Sequence, residues 1–210
     1  MGRAHSHPHG RREWGEPRPG LIARLRALLG RGDAPPRAGL PVLPLALQRA
    51  PLAAEYLAAE RDADHPRAGA AAVANMERSI AAGDWWPADV WAHRALWHFE
   101  QGQLNLAAVR QARRIGDLRS AAGDPASARR YYAEAIDEAR DIGAEHEQGL
   151  GALGLGRALL ELGQVTAARR LAGAAEDLLQ RSGAPAGEVR AARELRGVEI
   201  EVGERTEAAP

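Results

Sequence analysis

Ala81-Ala-Gly-Asp84, Ala121-Ala-Gly-Asp124 and Glu161-Leu-Gly-Gln164 are one motif read three times at a spacing of forty residues, and Gly203-Glu204 begins a fourth copy. Self-similarity with a period of roughly 20 to 50 residues is the mark of stacked two-helix units, none of which buries its own apolar face without a neighbour. In each copy the glycine gives the first helix a left-handed stop. Asp84 and Asp124 are placed to cap the second helix, and Pro87 and Pro125 fall near its first turn, where a missing N–H loses no partner.

Outward from the glycines, Ala88, Ala128 and Ala168 lie five residues on, and Ala95, Ala135 and Ala175 seven residues beyond those. A step of seven returns to nearly the same helix face, so the second helices offer only small side chains where they cross their partners. The stretch Gly149-Leu-Gly151-Ala-Leu-Gly154 spells the dinucleotide fingerprint, but that fingerprint works only where a strand ends and a helix begins. Here the polar Glu145-His-Glu-Gln148 precedes it, and the repeat register sets it inside a first helix. Gly151, Gly154 and Gly156 are therefore read as points of close helix packing, at a helix cost of about 0.8–1 kcal/mol each.

The same positions resemble the tetratricopeptide repeat: Ile115-Gly116 and Leu155-Gly156 in the first helix, Gly123 and Gly163 at the turn, Ala128 and Ala168, Tyr132, then Ala135 and Ala175. The usual repeat has about 34 residues, and the forty-residue period is similar to the longer variants of kinesin light chains and bacterial signalling regulators. The resemblance covers about residues 69–203; Met76 replaces the early glycine of the first unit, and the last unit keeps only a first helix around Glu188 to Val202, with Leu195 at its apolar position. HEAT or armadillo repeats of ~40–47 residues are the competing assignment, and the Gly-Asp corners and alanine columns favour the tetratricopeptide one. The fold it implies is all-α: a right-handed solenoid of about three helix pairs plus a C-terminal capping helix.

Composition agrees with helices and closes off much chemistry. Of 210 residues, 45% are hydrophobic, mostly Ala and Leu, and 4% aromatic, so almost no strand is expected. The absence of Cys excludes disulfides, thiol nucleophiles and cysteine zinc sites. All 28 basic residues are Arg, which removes Schiff-base chemistry and any Walker-type phosphate loop and, with the Ala, Gly and Pro usage, suggests a GC-rich bacterial genome. With five Ser, two Thr and no nucleophile elbow, nothing assembles a nucleophile with its base, and the chain is expected not to be an enzyme.

Net charge is zero, yet residues 1–40 carry eight Arg against Glu13, Glu16 and Asp33 while the remainder is net acidic, which with no single-sign stripe argues against nucleic acid. Nine of thirteen prolines precede residue 67. The organisation expected is a disordered basic tail over 1–20, a short amphipathic helix and Pro-rich linker over 21–44, an N-terminal capping helix over 45–66, and a repeat domain over 67–205, divided at 67–103, 104–143, 144–183 and 184–205. Leu21 to Leu29 is interrupted by Arg24 and Arg26 and has no cleavage site, so Arg11-Arg12 is not read as an export signal, and Met1-Gly2 with Ser6 is a chance myristoylation match. No window approaches the ~20 apolar residues of a membrane span, and a cytoplasmic location is expected. That short helix could dock in a groove, at acidic lipid or on a partner.

His5, His7 and His9 alternate in the tail without a supporting shell, and His93 and His98 are five apart, off a common helix face, so neither metal nor cofactor is expected. Four of the five tryptophans fall between residues 85 and 97, where two stripes emerge: Ala88, Ala92, Ala95 and Phe99 against the partner helix, and Trp86, Val90, His93 and Trp97 on another side. The second stripe needs cover from the segment Leu43 to Arg61 (Leu45, Leu52, Ala53, Tyr56 and Leu57, with Pro51 starting a helix), from a second copy of the chain, or from a foreign protein. The family match puts Glu77, Arg110, Arg113, Arg114, Asp117, Arg157, Glu161, Arg190 and Arg193 on the inner wall. What it implies is a non-enzymatic adaptor or scaffold whose concave face takes a protein or peptide, an acidic one suiting the arginines. The alternatives are a homodimeric subunit joined through the Trp stripe, or a sensor or accessory protein for a peptide or small molecule.

Overall fold

Left-handed backbone recurs every twenty residues: Ala63, Gly83, Gln103, Gly123, Gly143, Gly163 and Gly183 all have φ between +55° and +76°. Each marks a corner between helices in the computed structural model, which describes residues 40–198, all in the unit Ala38–Pro210. The expected tail, the Leu21 to Leu29 helix, the alternating histidines, Gly203 and the stretch beyond Val198 lie outside the described residues. A 3₁₀ turn, Leu45–Arg49, is followed by α1 (Ala53–Arg61), α2 (His65–Ala81), α3 (Trp85–Gln101), α4 (Asn105–Ala121), α5 (Pro125–Asp141), α6 (Glu145–Glu161), α7 (Val165–Arg181) and α8 (Ala186–Arg196), with no strand among the described residues. Helices α2 to α7 are each 17 residues long, or ~25 Å at ~1.5 Å per residue.

One turn chemistry closes them all. After α2, the N–H of Gly83 donates to the Ile80 carbonyl at 3.0 Å and that of Asp84 to the Ser79 carbonyl at 2.9 Å, the paired bonds of a Schellman motif. Gly143 repeats the pattern with Arg140 at 3.1 Å, as Ala144 does with Ala139 at 2.8 Å, so the corner between pairs is the corner within a pair. The structural period is thus twenty residues, half the period of the sequence motif. Asp124 caps α5 through the Ser127 N–H at 3.0 Å, and the hydrogen bonds from Ser127 hold its carboxyl below the ordinary range. Asp84, also expected to cap, makes no such bond. The third residue of α3 is Pro87, so the N–H that an N-cap side chain would accept is missing.

Consecutive helices pack on one another, and the first helices α4 and α6, and α6 and α8, also touch, an arrangement consistent with an α-solenoid. Ala88, Ala128, Ala168, Ala95, Ala135 and Ala175 are all at most 1% exposed. A further column on the first helices, Ala72, Ala112, Ala152 and Ala192, is at most 3% exposed and escaped the sequence reading. The glycines of the false fingerprint all lie in α6, where a methyl at Gly151 would press on Ile136 and one at Gly149 on Leu179. Tyr132 lies between Gly116 of α4 and Gly154 of α6, and a methyl on either would overlap its ring.

At the ends the structure departs from expectation. The single capping helix expected over 45–66 is a 3₁₀ turn, α1 and the start of α2, because Pro51 cannot continue a helix and a left-handed corner falls at Ala63. Leu45, expected to cover the Trp stripe, is 75% exposed. The terminal α8 stops at Arg196 before Gly197, short of the expected Val202.

Ala63 and Gln103 hold an L side chain in the left-handed region, which disfavours them by about 1–2 kcal/mol. Gln103→Gly is expected to raise stability by about 0.5–1 kcal/mol net of the unfolded-state entropy glycine adds, and Gly123→Ala to lower it by about 1–2 kcal/mol. Urea denaturation of the two variants beside the wild type reads both signs.

Candidate ligand groove on the first helices

Equivalent positions on successive first helices are forty residues apart, as Ala72, Ala112, Ala152 and Ala192 are, so side chains that meet across them are separated by about that number. Two ion pairs use the same separation of 37 residues: Arg114 Nη2 to Glu77 Oε1 at 3.0 Å from α4 to α2, and Arg110 Nε to Glu147 Oε1 at 2.6 Å from α4 to α6. Glu147 is buried, its side chain 5% exposed, and Arg113 Nε approaches its other oxygen at 3.5 Å. Arg113 also donates to Asp117 through Nη1 at 3.0 Å, and Tyr132 donates its hydroxyl to Asp117 at 2.8 Å. Burial, then the facing Asp117 carboxylate, push the Tyr132 hydroxyl far above its ordinary range, so it stays a hydrogen-bond donor.

Around these pairs lies an open groove of about 420 Å³, lined by the apolar Val73, Phe99, Ala107 and Leu150 and by the polar Arg110, Arg113, Arg114, Gln111, His146 and Glu147. Gln111 is fixed from behind, donating to the Ala92 carbonyl at 3.1 Å. On the other side of Arg114 a second hollow of about 290 Å³ is lined by Met76, Ile80, Trp85, Leu118 and Ala121, with Asp117 at its edge.

Of the nine residues expected on the inner wall, Arg110, Arg113, Arg114 and Asp117 border these hollows, and Glu77 anchors Arg114 at their rim. Glu161 accepts a 3.4 Å hydrogen bond from Ser120, while Arg157 and Arg190 are exposed and line neither hollow. Arg193 serves the C-terminal cap: with Arg196 it clasps the buried Glu176 of α7 at 2.9 and 3.0 Å. Sequence reasoning missed Glu147, His146, Gln111 and the apolar lining. The usable signal was Glu147 standing 37 residues after Arg110, the step that also separates Glu77 from Arg114.

The Trp stripe is divided. Trp86 is 56% exposed beside Trp85 at 45%. His93 bonds Tyr131 of α5 at 2.8 Å and the Asp89 carbonyl at 2.8 Å, Val90 is half-buried, and Trp97 packs edge-on against His65 and His98. The segment before α2 covers α3 on a different stripe: Tyr56 meets Trp91, Arg94 and His98, where its buried hydroxyl finds partners.

Among the described residues no three metal-binding side chains cluster, and no helix is long and apolar enough to cross a membrane. Comparison with protein-family models gives no match, and the search of the curated proteins gives none either.

Glu147→Ala strips Arg110 and Arg113 of a buried counter-charge and is expected to destabilise by about 1–3 kcal/mol, below the ~3–5 kcal/mol of a fully buried pair because Arg110 is 56% exposed. Arg110→Ala leaves Glu147 facing Arg113 and is expected to cost less. Thermal melts of the two single variants give the order.

Proposed function

We propose that the chain is a non-enzymatic interaction module, a right-handed solenoid of the tetratricopeptide kind working in the cytoplasm, that takes an extended peptide or protein segment along its first helices. The observation that carries this reading is the groove itself, about 420 Å³ built from α2, α3, α4 and α6, with apolar and polar side chains together in its lining. Apolar walls supply affinity and convergent polar groups fix orientation. The cations there are largely occupied, Arg114 by Glu77 and Arg110 and Arg113 by Glu147, so the groove is less basic than its composition. An acidic segment then binds by exchanging one carboxylate for another, and its affinity depends on the apolar side chains beside it. Its adaptor or scaffold role follows from an extended surface that contacts a partner across several repeats.

Trp85 and Trp86 favour a second reading, homodimerisation at the corner between α2 and α3, since they are exposed next to the Met76 and Ile80 hollow. The readings separate in one experiment. Peptides selected from a displayed random library on the full chain are titrated against wild type, Leu150→Glu and Trp86→Ala, with sedimentation of each. Groove binding predicts at least about a tenfold loss of affinity for Leu150→Glu, equivalent to ~1.4 kcal/mol, and none for Trp86→Ala. Affinity unchanged by Leu150→Glu, with a dimer that Trp86→Ala dissociates, overturns the groove in favour of the second reading.

A further inference from the structure

One stripe of α4 is used twice. Ala107, Arg110, Gln111 and Arg114 line the groove, and the same four positions seven residues on, Arg114, Asp117, Leu118 and Ala121, line the second hollow. Seven residues are two turns of helix, so the hollows succeed each other along α4 at a step of ~10 Å. Arg114 belongs to both.

The second hollow suits an apolar side chain. Met76 and Leu118 there are buried, Ile80 is half-buried and Trp85 is 45% exposed. Its one carboxylate is already engaged, since Asp117 accepts from Tyr132 at 2.8 Å and from Arg113 at 3.0 Å. A side chain seated in it meets thioether, aliphatic and indole surface and leaves no polar group unpaired.

The three arginines of the groove differ in what holds them. Arg110 and Arg113 serve Glu147, whose side chain is 5% exposed, and drawing either away leaves a buried charge short of its counter-charge. Arg114 is held at 3.0 Å by Glu77, whose side chain is 57% exposed. A pair made with so exposed a group is weak, and water solvates the carboxylate as soon as its partner turns away. Arg114 is thus the cation that can turn wholly to a ligand, and it is the residue that the two hollows share.

A chain laid along α4 has to place two apolar side chains on one side at the ~10 Å step. A polyproline-type extended chain does so at positions i and i+3, which are ~9 Å apart. A β-strand returns to one face after two or four residues, at ~7 or ~13 Å, and misses the step on either side.

Resting on the reading of the groove as a peptide site, we propose that the segment it takes carries two apolar side chains three residues apart, with a carboxylate at one of the two positions between them. One apolar side chain lies in the groove beside Phe99 and Leu150, the other in the hollow of Met76, Ile80 and Trp85, and the carboxylate displaces Glu77 from Arg114. Glu77 is then a built-in competitor. An acidic side chain can replace it on Arg114 and a neutral one cannot, so the pair selects acidic segments over neutral ones.

Peptides selected on the full chain from a displayed random library are sorted first by Leu150→Glu. If none loses affinity, the groove reading fails and this proposal with it. Among those that do, Ile80→Glu should also weaken binding about tenfold or more, with Trp85→Ala, at an exposed position, as the second variant should Ile80→Glu not fold. Glu77→Gln should tighten the acidic peptide about two- to fivefold and leave its amide version, Asn for Asp or Gln for Glu, unchanged. A purely structural role for Glu77 gives no such gain. Peptides that need Leu150 yet ignore Ile80→Glu and Trp85→Ala, an equal effect of Glu77→Gln on acidic and amide versions, or apolar positions seven apart as in a helical ligand leave the groove standing and overturn the proposal.

Discussion

A three-residue corner that admits one left-handed residue is the constraint from which the other features follow. Because the chain leaves one helix and enters the next within three residues, or four before α8, neighbours must run antiparallel and start at matching heights. Six helices of equal length then place every second helix on the same side. That repetition brings Glu77 to Arg114 and Arg110 to Glu147 by the same step along the chain. A helix longer by two residues would rotate its successor by roughly half a turn and remove its partners.

Close approach is the second requirement, and small residues meet it. The alanine columns let helix axes draw together, and glycine is used where an aromatic ring must enter, as Tyr132 does between Gly116 and Gly154. Its hydroxyl then reaches Asp117 at the edge of the second hollow. The packing of one ring thus helps to set the charges beside that hollow, joining core to surface without a separate element for the purpose.

Much of this was legible in the sequence, and the gaps have physical causes. The helical class, the corners at Gly83, Gly123 and Gly163 and the buried alanine columns are local properties, written in one residue type at a fixed spacing. The twenty-residue period was hidden because Ala63 and Gln103 occupy corners without being glycine, so Gly143 and Gly183 looked unrelated to the motif. Asp84 failed as a cap through Pro87, a conflict between two signals that each favour a helix start. The groove was legible only in part: Arg110, Arg113 and Arg114 could be named from helix position, but whether a guanidinium is free or paired depends on residues from the next unit. Tyr56 was expected to cover the Trp86 stripe because apolar periodicity ignores what a buried hydroxyl must bond.

Charge also resolves an ambiguity that packing leaves. Columns such as Ala88, Ala128 and Ala168 are the same in every unit, so sliding one unit past another would still bring alanine to alanine. A buried carboxylate has no such tolerance, since leaving it unpaired is strongly unfavourable. Glu147 in α6 is held by Arg110 and Arg113 of α4, and Glu176 in α7 by Arg193 and Arg196 of α8, two guanidinium groups to each buried acid. These clasps sit at two different junctions and are not interchangeable. Because the desolvation cost of a buried pair offsets much of its attraction, what they chiefly add is a preference for which helix lies against which.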